Sequence, residues 1–120
     1  MEKLKTLKLQ VIPKLVIPIE LPKDPEGDGD ETIILEFEIK RQTPKNASKV
    51  IQESKDLTES YHNDEMTDME FSEKMLGVLC EKTNWHVLKK YDLLYIKQIM
   101  DHIKKENENY KKKFSETKHS

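Results

Sequence analysis

The sequence predicts a small α+β protein, and three observations predict it. Apolar residues alternate with mostly polar ones at Leu7, Leu9 and Val11, at Leu15, Ile17, Ile19 and Leu21, and at Ile33, Leu35, Phe37 and Ile39. That two-residue beat belongs to strands with one buried face. From Thr67 to Ile103 the beat lengthens to three and four residues, the spacing that gathers apolar side chains on one stripe of a helix. A Trp-containing break divides this second half, so it holds separate helices rather than one rod. The expected architecture is an N-terminal antiparallel β-hairpin or small sheet followed by three to four helices packed as a small bundle. A single domain is expected over residues 1–103, β-rich to residue 41 and helical from 43, with a charged, frayed helical tail over 104–120.

Each element has its own signal. Leu4 to Val11 and Leu15 to Leu21 read as two strands or one bent strand. Pro13 and Pro18 have no N–H for a ladder, so the chain should bend at Pro13 and occupy a sheet edge at Pro18. Pro22, Pro25, Gly27 and Gly29 lie among acids and supply turn geometry for a long hairpin loop, after which Thr32 to Arg41 resumes the alternation. Thr43 followed by Pro44 reads as an N-cap and first helical residue, with Ala47, Val50, Ile51 and Leu57 close to one face of a short helix. Thr58 to Met66 has no sustained period and reads as a mobile acidic connection. Thr67-Asp68-Met69-Glu70 is a capping box, and Phe71, Met75, Val78 and Leu79 carry its helix on to Thr83-Asn84, with Leu76 and Cys80 at the margins. Val87-Leu88 makes a further turn, Asp92 caps the last helix, and Ile96, Ile99, Met100 and Ile103 form its buried stripe. Phe71, Met75, Leu79, Trp85 and Ile99 are the expected scaffold.

Composition narrows the function. The 21 basic and 23 acidic side chains nearly balance, which argues against a general nucleic-acid binder, since that role needs a net positive field. Their distribution is uneven: Asp56 to Glu73 holds seven acids and no Lys or Arg, whereas Lys104 to Ser120 holds six Lys against three Glu. Such segregation fits contact with a charged partner or another copy, with two plain solvated surfaces the favoured reading. Charge interrupts the first residues before a signal-length apolar run can form, and no stretch has the composition of a membrane span. A cytoplasmic protein without membrane association is expected. The single Cys80 fits a reducing compartment.

A reaction centre is not legible. Asp24, Glu26, Asp28 and Gly29 match the early positions of a calcium-binding loop, but Leu35 stands where the closing bidentate Glu is required. An ordinary acidic loop is the expectation. His62, Cys80, His86 and His102 lack the paired short spacings of a zinc site, and Cys80 beside a buried stripe reads as an inert core thiol. No Gly-rich phosphate loop or nucleophile elbow occurs, so no enzyme, cofactor or metal is expected. Trp85, Tyr91 and Tyr95 can form a core hinge or a recognition pocket, with the hinge favoured. Met66, Met69, Met75 and Met100 suit either packing or an adaptable partner groove.

Two stretches carry a family resemblance. One is Ile33-Ile34-Leu35-Glu36-Phe37-Glu38-Ile39-Lys40-Arg41 running into Gln42-Thr43-Pro44 and a helix. The other is Met75-Leu76-Gly77-Val78-Leu79-Cys80-Glu81-Lys82-Thr83-Asn84-Trp85, then Val87-Leu88, Tyr91-Asp92 and Tyr95-Ile96. In element order the chain resembles the tail assembly chaperones of long-tailed bacteriophages and contractile particles. It departs from them at Leu94, where many relatives have an acid, and in its longer, more acidic hairpin loop. The resemblance implies a non-enzymatic, transient partner of the tail tape measure protein, keeping that apolar helical chain soluble while tail-tube subunits polymerise. Exposed Met66 and Met69, with Lys104, Lys105, Tyr110 and Phe114 of the tail, are the candidate contacts. Self-association fits as well. The alternatives are a permanent tail-completion or head–tail connector subunit, and a small cytoplasmic regulator that binds protein through its acidic block.

Overall fold

The computed structural model describes residues 3–27 and 29–115. Its elements run β1 (Val16–Pro22), β2 (Thr32–Ile39), α1 (Ala47–His62), α2 (Asp68–Leu79), β3 (Cys80–Lys82), α3 (Trp85–Leu88) and α4 (Leu93–Ser115), with a three-stranded antiparallel sheet in the order β1-β2-β3. The α+β expectation holds. Helices cover one face of the sheet: Ile17, Leu21, Phe37 and Ile39 join Met75, Leu76, Cys80, Leu88, Tyr91, Ile96, Ile99, Met100 and Ile103 in one buried core. Burying each large aliphatic stabilises by about 1.5–3 kcal/mol before entropy is counted. The other face stays open, presenting Val16 and Ile34 with Glu20, Glu36 and Glu38.

The β1–β2 register pairs Ile17 with Phe37, Ile19 with Leu35 and Leu21 with Ile33. Beyond the two ends of this ladder, Ile39 N–H donates to Leu15 O at 3.0 Å and Lys23 N–H to Glu31 O at 2.8 Å. Hydrogen-bonded pairs alternate in an antiparallel ladder, so the odd-numbered residues of both strands bond each other and the even-numbered ones point away. On β1 the outward residues are Val16, Pro18, Glu20 and Pro22. Two of these have no N–H, which blunts that edge against further pairing.

Several expectations are corrected. Residues 3–15 lie outside any ladder, because no neighbouring strand pairs with Leu4 to Val11. The helix read from Thr43 begins at Ala47, after a turn in which Asn46 Oδ1 accepts from Thr43 N–H at 2.8 Å. It also runs on through Thr58 to His62, where a mobile connection was expected. Tyr61 anchors that extension by stacking on Phe71 at 4.5 Å between centroids and by donating its hydroxyl hydrogen to Asp68. Asp64 in the left-handed region (φ 57°) ends the helix, with Glu65 N–H bonded to Ser60 O and Asp64 N–H to Tyr61 O, the Schellman arrangement.

Half of the capping box forms: Thr67 Oγ1 accepts from Glu70 N–H at 3.2 Å, while the Glu70 carboxylate accepts from the Thr67 hydroxyl at 3.2 Å in place of its backbone N–H. Helix α2 stops at Leu79, earlier than expected, and the chain turns into β3. Leu76 and Cys80, read as margins, are 0% and 2% exposed, whereas Phe71 and Leu79 are half-buried. Asp92 caps α4 by accepting from Leu94 N–H at 2.9 Å. At 1.5 Å per residue, the 23 residues of α4 span about 34 Å. The helix therefore runs well past Ile103.

Candidate functional site: a cleft between the N-terminal arm and the end of α4

The tail of α4 rests on the base of the N-terminal arm. Tyr110 and Phe114 lie one helical turn apart with ring centroids at 5.0 Å, and Tyr110 Oη donates to Pro13 O at 2.6 Å. The i, i+4 spacing puts both rings on one face, and Pro13, which cannot join a ladder, leaves its carbonyl free to accept. Ile12 and Leu15 from the arm, Ile39 to Gln42 after β2, and Asn107, Tyr110, Lys111 and Phe114 from α4 enclose a cleft of ≈ 450 Å³. Its floor is apolar. Its rim is basic, with Arg41 and Lys111 exposed, while Lys113, whose ammonium lies 5.4 Å from the Phe114 ring centroid, lines the neighbouring cleft beside Lys14. Lys40 is tied back, donating from Nζ to Gly77 O at 2.8 Å.

Lys14 fixes the arm on the opposite side. Its ammonium bridges Glu38 at 3.4 Å and Glu81 at 2.5 Å, clamping the chain before β1 to β2 and β3. The hydrogen bond from Lys14, followed by its charge, holds the Glu81 carboxyl below the usual carboxylate range. The Lys14 ammonium is raised in turn, chiefly by its bond to Glu81. These groups are exposed, so the clamp is a positioning device rather than a large source of stability.

The sequence-derived candidates divide. Tyr110 and Phe114 line the cleft. Lys104 lies at a different, smaller cleft of ≈ 170 Å³ with Tyr61, Asp68, Phe71 and Lys97, and Lys105 is exposed on α4. Met66 is half-buried and Met69 packs against the core rather than standing exposed. Neither Met lines the Tyr110–Phe114 cleft. Ile12, Leu15 and Arg41 escaped the sequence reading, because Leu15 and Arg41 were assigned to strands and Ile12 fell between two of them; only the position of α4 brings them beside Phe114.

Other polar groups have structural partners. Tyr91 is buried and donates its hydroxyl hydrogen to Pro22 O, while its ring meets Tyr95 edge-on at 5.6 Å. This aromatic group is the core hinge. Desolvation raises the Tyr91 phenol above its usual range, and burial pushes the Cys80 thiol up to about 11, leaving it protonated and unreactive near neutrality. Asp24 accepts from Glu26 N–H at 3.1 Å within the hairpin turn, and Asp28 of the calcium-loop pattern lies outside the described residues. Among the described residues no helix is long and apolar enough to cross a membrane.

No protein-family model, curated protein or solved structure matches this chain.

Proposed function

We propose that this chain is a non-catalytic holder of another polypeptide, and that the occupant of the Ile12–Leu15–Tyr110–Phe114 cleft is an amphipathic helical segment with acids flanking its apolar stripe. The single observation that carries the reading is the pairing of that apolar floor with the cationic rim from Arg41 and Lys111. Apolar anchors inside a charged rim give affinity from burial and orientation from charge. The tape measure protein of a long-tailed phage, named by the resemblance in element order, is the partner we favour. A chain that presents long apolar helical stripes needs cover until it is enclosed.

Co-expression with the tape measure protein of the same genome tests this. The soluble fraction of the tape measure should rise when this chain is present, and an unchanged fraction rejects the reading. A permanent connector subunit is the competing reading, favoured by the unpaired arm at residues 3–12. Mass spectrometry of purified particles separates the two, because a transient holder is depleted from the finished particle.

A further inference from the structure

The arm itself is unexplained by the cleft. Leu4, Leu7, Leu9 and Val11 are 96%, 76%, 79% and 90% exposed, although Leu7, Leu9 and Val11 keep the alternation of a strand with one buried face. Lys3, Lys5 and Lys8 are its only charges, and no acid occurs between Lys3 and Ile19. A basic, apolar, alternating segment outside any ladder is built to pair elsewhere.

The sheet has one edge suited to receive it. Prolines blunt the β1 side. On β2 the even-numbered residues face the other way, and β3 covers only Glu38 and Ile39. Asn84 reaches past the end of β3 and donates from Nδ2 to Glu36 O at 2.7 Å, leaving the backbone of Thr32 and Ile34 facing outward. Ile34 is 66% exposed. Thr32 to Glu36 is five residues, as is Leu7 to Val11, and at 3.3 Å per residue each covers about 16 Å, with Thr32 and Ile34 as the ladder positions and the Glu36 carbonyl held by Asn84. Charge matches at Glu20 and Glu36 of the edge and open face, whereas Glu31 and Glu38 already pair with Lys23 and Lys14. A strand seated there with Leu7, Leu9 and Val11 on the core-facing side would turn Lys8 to the open face that carries Glu36.

The arm's own edge is badly placed for this. The chain enters β1 at Leu15, opposite Ile39, at the far end of β2 from Thr32. The Tyr110 bond to Pro13 O holds the arm's base at that far end, against the end of α4. Reaching it would require crossing the sheet and passing β3.

We propose that residues 3–12 of one chain add a strand to the Thr32–Glu36 edge of a second copy. This inference is independent of the cleft and its occupant. The test is sedimentation of the full chain, alone, over a wide concentration range, with two variants. Leu9→Lys alters only an exposed arm position. Ile34→Pro removes an outward-facing N–H, as Pro18 does naturally on β1, and leaves the β1–β2 bonds in place. Wild type should sediment as a multiple of the 14.2 kDa monomer, and both variants, with wild-type circular dichroism, as monomers. A monomeric wild type, including one whose arm is protected from proteolysis by its own chain, overturns the proposal. So does association that survives Leu9→Lys. Should Ile34→Pro perturb folding, Ile34→Lys supplies the edge arm of the test by placing a cation against the incoming Lys8, and association that survives it counts equally against the proposal.

Discussion

Asn84 offers the sharpest test of how the helices are joined to the sheet. It sits at φ 55°, ψ 24° as the residue before α3, is 7% exposed, and donates to Glu36 O at 2.7 Å. Two separable costs follow from replacing it. Asn84→Ala removes the donor from a carbonyl that the buried side chain shields from water, costing about 1–3 kcal/mol. It also places a residue without a compensating side-chain amide in the left-handed region, at about 1–2 kcal/mol. The sum is about 2–5 kcal/mol, a large part of the ~5–15 kcal/mol typical of a domain. Asn84→Gly keeps the first cost and relieves the second, though Gly adds about 0.5–1 kcal/mol through the unfolded chain. Asn84→Asp sets a carboxylate against a carbonyl and should be the worst. Urea titration with an unchanged m-value gives the order: wild type, then Gly, then Ala, then Asp. An Ala variant within ~0.5 kcal/mol of wild type, or a Gly variant less stable than Ala, refutes the reasoning.

Other consequences are simpler. Leu76→Ala, at a site with no exposure, should lower stability by about 2–5 kcal/mol, read as a fall in the urea midpoint. Cys80 should resist alkylation at pH 8 in the native chain and react rapidly in urea, because burial rather than a nearby charge raises its thiol to about 11; equal rates would place it at the surface. Lys14→Ala should move the Glu81 titration midpoint upward by NMR, since Lys14 is what holds it down. The sign for stability follows: a depressed carboxylate contributes above its unfolded value, and the contribution is lost as pH falls through the folded one. Acid should therefore weaken the wild-type clamp, and the variant should lack that part of the pH dependence.

Legibility in the sequence followed the length and clarity of each pattern. The β1 and β2 alternation, the Thr67 cap and the α4 stripe were readable because each repeats one period over several residues or completes a local hydrogen-bonding motif. Strand β3 was hidden: three residues are too few to establish a period, and Leu76, Val78 and Cys80 satisfy an alternating pattern while the first two also belong to a helix. The extension of α1 to His62 depends on Tyr61 meeting Phe71 and Asp68, contacts that no local period records. The arm shows the converse. Leu7, Leu9 and Val11 are written as a strand, and local pattern cannot supply the neighbour that a strand requires. Of the site, Tyr110 and Phe114 stood out as lone aromatics in a lysine-rich tail, whereas Ile12 and Leu15 become lining residues only through Pro13 and the reach of α4.

The most direct test of a polypeptide-holding cleft replaces Phe114 with a photoreactive phenylalanine analogue in the chain co-purified with its proposed partner, the tape measure protein, using the same analogue at exposed Leu94 as the control. Irradiation should join position 114 to an apolar helical stretch of the tape measure and leave position 94 largely unlinked. Equal linkage at both positions, or none at 114 in a complex that remains intact, would contradict the account.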